Sequence, residues 1–99
     1  MHEFEIDRVS RSPMGNKHEH ITHIGNSTGK WRLSRADAIA QIDVKASRFY
    51  LKDRLSGRPV YLAVVRHGKE MPVLRAKVHE EWSDTLITLP ECEAECRTL

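Results

Sequence analysis

The sequence predicts a small α+β domain, a mainly antiparallel sheet with one helix packed on one face. Three observations predict it. Short alternations of apolar and polar residues recur along the chain. One segment with helical spacing and a cap interrupts them. Pro59 to Arg66 is apolar on both faces, as a central strand would be. The expected order is β-β-α-β-β with one further element after it, the pattern of hairpin-linked strands with a segregated helix.

The first strand is expected over Phe4 to Val9, where Phe4 and Ile6 alternate with Glu5 and Asp7. Ser12-Pro13-Met14-Gly15-Asn16 supplies turn-forming residues, and a second strand is expected over His18 to Ile24. Gly25 to Gly29 reads as a flexible connection. The helix is expected from Arg35 to Ala46: Ser34 can accept from orphan backbone N–H groups as N-cap, with Asp37 at the capping-box position. Leu33 can staple onto Ala38, while Ala36, Ile39, Ala40 and Ile42 share a face. Arg48 to Lys52 reads as a strand and Asp53 to Gly57 as a turn. Pro59 to Arg66 and Val73 to Val78 form a hairpin about His67-Gly68-Lys69-Glu70. Trp82 to Leu89 fits either a strand or a short helix, ended by Pro90.

The chain has 99 residues, room for a single domain over 1–99, with residues 91–99 expected as a loose acidic tail. Hydrophobic residues at 39% and charged residues at 30% are a globular balance rather than a disordered one. The longest apolar run, Val60 to Val65, is far short of the roughly 20 residues of a membrane helix. Met1 to Asp7 has no apolar core of a signal peptide. A cytoplasmic protein is therefore expected, with Cys92 and Cys96 as thiols. Residues 30–79 carry twelve Lys/Arg against four acids, whereas residues 80–99 carry one Arg against six acids. A basic middle beside an acidic end implies either an anionic partner or a tail folded against the middle.

Several phrases occur together in a particular order. They are Ile21-Thr22-His23-Ile24-Gly25, Trp31-Arg32-Leu33-Ser34 leading into Ala38-Ile39 and Ile42, Arg48-Phe49-Tyr50, and Asp84-Thr85-Leu86-Ile87-Thr88-Leu89-Pro90-Glu91-Cys92. In this order the chain resembles the domain of unknown function 3892 family (DUF3892), from about Phe4 to Cys92. The resemblance implies a bacterial cytoplasmic protein and supplies neither an activity nor a site residue.

Few motifs carry chemistry. Gly25-Asn26-Ser27-Thr28-Gly29-Lys30 has three residues between its glycines where a phosphate loop has four, and Trp31 follows Lys30. No nucleophile elbow or zincin motif occurs, and His79-Glu80-Glu81 with Asp84 is a grouping common on surfaces, so no enzyme is expected. His18 and His20 would share one face of a strand, and with Cys92 and Cys96 they could form a zinc-type site, though the spacing fits no strong signature. No cofactor is expected. The most concrete surface comes from strand alternation: with Phe49 and Leu51 inward, Arg48, Tyr50 and Lys52 point outward. With Val60, Leu62 and Val64 inward, Tyr61, Ala63 and Val65 point outward. Arg75 and Lys77 follow if Leu74, Ala76 and Val78 are inward. Cations around Tyr50 and Tyr61 suit single-stranded nucleic acid. The outward Ala63 and Val65 instead suggest a face covered by the tail or a second chain. The sequence thus favours a small interaction module that binds a protein partner or self-associates. Single-stranded nucleic-acid binding through Arg48, Tyr50, Lys52, Tyr61, Arg75 and Lys77 is the alternative, and a His/Cys metal domain the third reading.

Overall fold

The computed structural model describes residues 2–13, 15, 17–53, 56–66, 68, 71–78, 81–83, 85–91 and 96–99. Among the described residues, nine strands form two mixed, mostly antiparallel sheets, with one helix packed between them. In chain order they are β1 (His2–Glu5), β2 (Arg8–Arg11), β3 (Ile21–Asn26), β4 (Trp31–Ser34), the helix α1 (Arg35–Asp43), β5 (Ser47–Lys52), β6 (Pro59–Val65), β7 (Val73–Val78), β8 (Glu81–Ser83) and β9 (Arg97–Thr98). The first sheet has the order β1-β5-β6-β7-β8 and the second β2-β3-β4-β9. The α+β class and the mainly antiparallel pairing agree with the sequence. The division into two sheets was not expected.

The division begins where the first predicted strand breaks. Residues 2–5 pair in parallel with β5, while residues 8–11 pair antiparallel with β3. Ile6 and Asp7 carry the chain between sheets: Ile6 N donates to Tyr50 O at 2.6 Å, and Asp7 N to Gly25 O at 3.0 Å. Ile6 is itself buried in the core, so apolar alternation continues through the crossing and hides it from a reading of period alone. The second predicted strand is shortened from the front, because His18–His20 form a 3-10 turn before β3 starts at Ile21. Residues 31–34, expected only as an approach to the helix, form β4 and pair with β3. Gly25 permits this pairing: a Cβ there would lie 2.8 Å from Trp31 O.

Ser34 caps α1 as expected, its Oγ accepting from Asp37 N at 3.2 Å. Replacing it with alanine is expected to cost about 0.5–2 kcal/mol in a urea titration, the ordinary loss of an N-cap. The helix ends at Asp43, three residues before the expected Ala46, because Lys45 adopts a left-handed φ of 58°. Ala46 N then donates to Gln41 O and Lys45 N to Ile42 O, a Schellman closure that satisfies the last carbonyls. Ala38 and Ile39 are buried and Ile42 packs against the core, but Ala36 and Ala40 are exposed and do not belong to the apolar face.

Inner faces of both sheets fill the core. Val9, Ile21, Ile24 and Leu33 come from the second sheet; Phe49, Leu51, Val60, Leu62, Leu74 and Ala76 come from the first. The segment left ambiguous between strand and helix contains both: β8 is followed by a 3-10 turn, Thr85–Thr88, whose Leu86 is fully buried. The tail is not loose at its described residues. Glu91 bridges to Val9, and β9 pairs in parallel with β4, with Arg97 N donating to Lys30 O and Leu99 N to Arg32 O. No helix among the described residues is long and apolar enough to cross a membrane.

Candidate nucleic-acid interface

The outer face of the five-stranded sheet is set by alternation in β5 and β6. Phe49 and Leu51 are buried, which turns Arg48, Tyr50 and Lys52 outward; Val60 and Leu62 are buried, which turns Tyr61 and Ala63 outward. Strand register then brings side chains together. Tyr50 lies opposite Tyr61, Ala63 opposite Arg75, and Lys77 opposite Trp82. All six residues expected for nucleic acid therefore occupy one face.

Their mutual geometry is close. The rings of Tyr50 and Tyr61 have centroids 5.9 Å apart and are tilted by 55°. The Arg48 guanidinium carbon sits 4.6 Å from the Tyr61 ring centroid. Arg75 and Lys77 approach the Trp82 ring at 5.5 and 5.2 Å. Arg48 and Lys52 are exposed, and Tyr50, Tyr61, Arg75 and Lys77 are half-buried. Trp82 is 43% exposed, high for a residue of its size.

Three members of the face escaped the sequence reading: Trp82, Glu3 and Glu5. Register places Glu3 beside Arg48 and Glu5 beside Tyr50. Glu3 Oε2 accepts from Arg48 Nη2 at 2.9 Å, and Glu3 Oε1 accepts from the Tyr61 hydroxyl at 2.7 Å. Lys52 Nζ lies 3.6 Å from Glu5 Oε1. The hydrogen bonds from Tyr61 and Arg48 hold the Glu3 carboxyl below the usual carboxylate range, and the bond to Glu3 pushes the Tyr61 phenol above its ordinary value. The alternation of Glu3 and Glu5 about Phe4 was visible in the sequence. What was missing was the parallel partner, β5, more than forty residues away.

Val65 was expected on the outer face in need of a cover. It is buried to 9% exposure within the single chain. The acidic tail was a candidate cover. Glu91 instead pairs with Arg11 of the second sheet, Arg11 Nη1 to Glu91 Oε1 at 3.7 Å, and β9 lies along β4. Glu93 and Glu95 lie outside the described residues.

The proposed metal ligands are placed differently from the strand geometry assumed for them. His18 and His20 occupy the 3-10 turn, where Lys17 N donates to His20 Nδ1 at 3.3 Å. His23, on β3, has Nδ1 2.9 Å from Thr22 Oγ1; burial and the nearby Arg32 hold its pKa below the ordinary value. Cys96 is buried and disulfide-bonded, which corrects the expectation of a thiol there. Cys92 lies outside the described residues. No cluster of three or more potential ligands occurs among the described residues. The Gly25–Lys30 loop is tied to Asp7, whose Oδ1 accepts from Ser27 N at 2.8 Å and Oδ2 from Ser27 Oγ at 2.7 Å. His79, Glu80 and Asp84 lie outside the described residues, as does the Glu81 side chain.

A family model described as "Protein of unknown function (DUF3892)" matches residues 5–90. No curated protein and no solved structure matches the chain.

Proposed function

Since the chain belongs to the DUF3892 family, whose description assigns no activity, we propose from geometry that it is a small non-catalytic module binding single-stranded nucleic acid on its outer sheet face. One observation carries this reading. Tyr50, Tyr61 and Trp82 stand across a single face whose strands also present Arg48, Lys52, Arg75 and Lys77. Aromatic rings offer stacking surfaces to any base, and cations along them follow the phosphates. The cations on Glu3 and Glu5 do not count against this. The Arg48–Glu3 pair is well exposed and is made through Nη2; a guanidinium has five N–H donors, so a phosphate can bond to the others while Arg48 keeps its hold on Glu3.

Val65 is buried without a second chain, and the described tail residues lie against the other sheet. A protein partner on this face is the second reading, because exposed Trp82 with Tyr and Arg is also the composition of interface centres. A cytoplasmic location goes with either reading. In that compartment the disulfide at Cys96 would be a transient bond rather than a permanent staple.

A labelled thymidine oligonucleotide titrated into the protein separates the readings. Nucleic-acid binding is expected in or below the range of about 10⁻⁴–10⁻⁶ M and should weaken as salt rises from about 50 to 200 mM. With two to four phosphates contacted, log K should fall with log salt at a slope of about −1.4 to −2.8, from about −0.7 per phosphate on single strands. Absence of binding at low salt would leave the protein-partner reading.

A further inference from the structure

We propose that the depression beside Tyr50 and Tyr61 is a base-reading pocket that selects guanine through the Glu3 carboxylate. This rests on the single-strand reading of the same face and adds a specificity to it. The depression has a volume of 410 Å³ and is lined by Glu3, Tyr50, Lys52, Gly57, Pro59 and Tyr61. Two rings and a proline supply flat apolar walls, Lys52 a cation for a phosphate, and Glu3 the acceptor-only group.

Glu3 is held by two bonds, from the Tyr61 hydroxyl on one oxygen and from Arg48 on the other. These donors fix the carboxylate in place and keep it ionised. A carboxylate has about four lone-pair sites, so each Glu3 oxygen retains acceptor capacity. Two adjacent acceptors match a base edge with two adjacent donors. Among the four DNA bases only guanine has one, its N1–H beside its exocyclic amine. Adenine and cytosine each set a ring-nitrogen acceptor next to their amine, and thymine flanks its N–H with two carbonyls. Those acceptors would face a carboxylate unpaired, which penalises the wrong base as well as favouring the right one. Single strands expose these Watson–Crick edges, whereas duplexes consume them.

The test compares a thymidine strand with the same strand carrying isolated guanines, both against wild type, Glu3→Gln and Glu5→Gln. Wild type is expected to prefer the guanine strand by about tenfold, within the range of a good bidentate base contact. In Glu3→Gln the ratio should collapse towards one, because an amide presents a donor where guanine needs an acceptor. Glu5→Gln, which removes the same charge from outside the pocket, should retain the preference. Replacing guanine by inosine, which lacks the exocyclic amine, should lose much of it in wild type only. A wild-type ratio near one, with thymidine still bound, overturns the inference and leaves the single-strand reading standing. So does equal loss of preference in Glu5→Gln, which would make charge rather than contact the cause. Failure to bind either strand overturns both.

Discussion

Phe49→Ala is expected to lower the free energy of unfolding by about 3–5 kcal/mol, the usual loss for truncating a buried phenylalanine. Phe49 is 1% exposed and sits in the middle of β5. Its ring stacks on Phe4 of β1 at a centroid distance of 5.8 Å, and Phe4 in turn meets Trp31 of β4 edge-on at 5.9 Å. The side chain thus couples the first sheet to the second. The hole left by alanine would remove contacts on both sides, and the surrounding strands cannot close over it without shifting register. Typical domains have only about 5–15 kcal/mol in total, so this one change would consume a large share. Paired urea titrations followed by circular dichroism measure it. A loss under about 1 kcal/mol would mean that the two inner faces do not meet around Phe49.

Arg11→Met is expected to cost about 1.5–3 kcal/mol, the range for hydrogen bonds to a charged group. Arg11 Nη2 donates to Ile87 O and, at 2.8 Å, to Leu89 O. Its side chain is only 15% exposed. The guanidinium thereby ties β2 to the end of the 3-10 turn that delivers Leu86 to the core. Methionine keeps much of the apolar stem and removes every donor, so it takes away the two carbonyl bonds together with the contact to Glu91. Amide hydrogen exchange in residues 86–89 should accelerate with it. Glu91→Gln, which removes the other partner of Arg11, should cost well under 1 kcal/mol, because Glu91 is 55% exposed and the pair is 3.7 Å apart. Equal effects from the two substitutions would show that the ion pair, not the carbonyl clamp, is what Arg11 contributes.

Features that depend on neighbours in sequence were legible from the residues. The Ser34 cap needs only the backbone three residues on, and the outward ladder of Arg48, Tyr50 and Lys52 needs only period two. The central position of β6 followed from apolar residues on both of its faces. Features that depend on distant pairing were not legible. Nothing local to His2–Glu5 says that it lies parallel to β5, so Glu3 and Glu5 could not be placed among the cations. Nothing local to Arg97–Thr98 says that β4 will receive it, so the tail read as loose. The role of Arg11 was hidden in the same way: the register shift between Ser10 and Arg11 belongs to the β2–β3 pairing, and the accepting carbonyls are seventy-six and seventy-eight residues away.

The salt dependence of thymidine-oligonucleotide binding, measured for wild type, Lys77→Gln and Tyr50→Ala, tests whether the outer face is a single-strand surface. Lys77→Gln should weaken binding and flatten the slope of log K against log salt by about 0.7, since one fewer phosphate releases its counterions. Tyr50→Ala should weaken binding by about 1–3 kcal/mol, the worth of one base stacked on an aromatic ring, and leave the slope unchanged. Binding that is absent at low salt, or that both variants leave intact, would contradict the assignment of this face to nucleic acid.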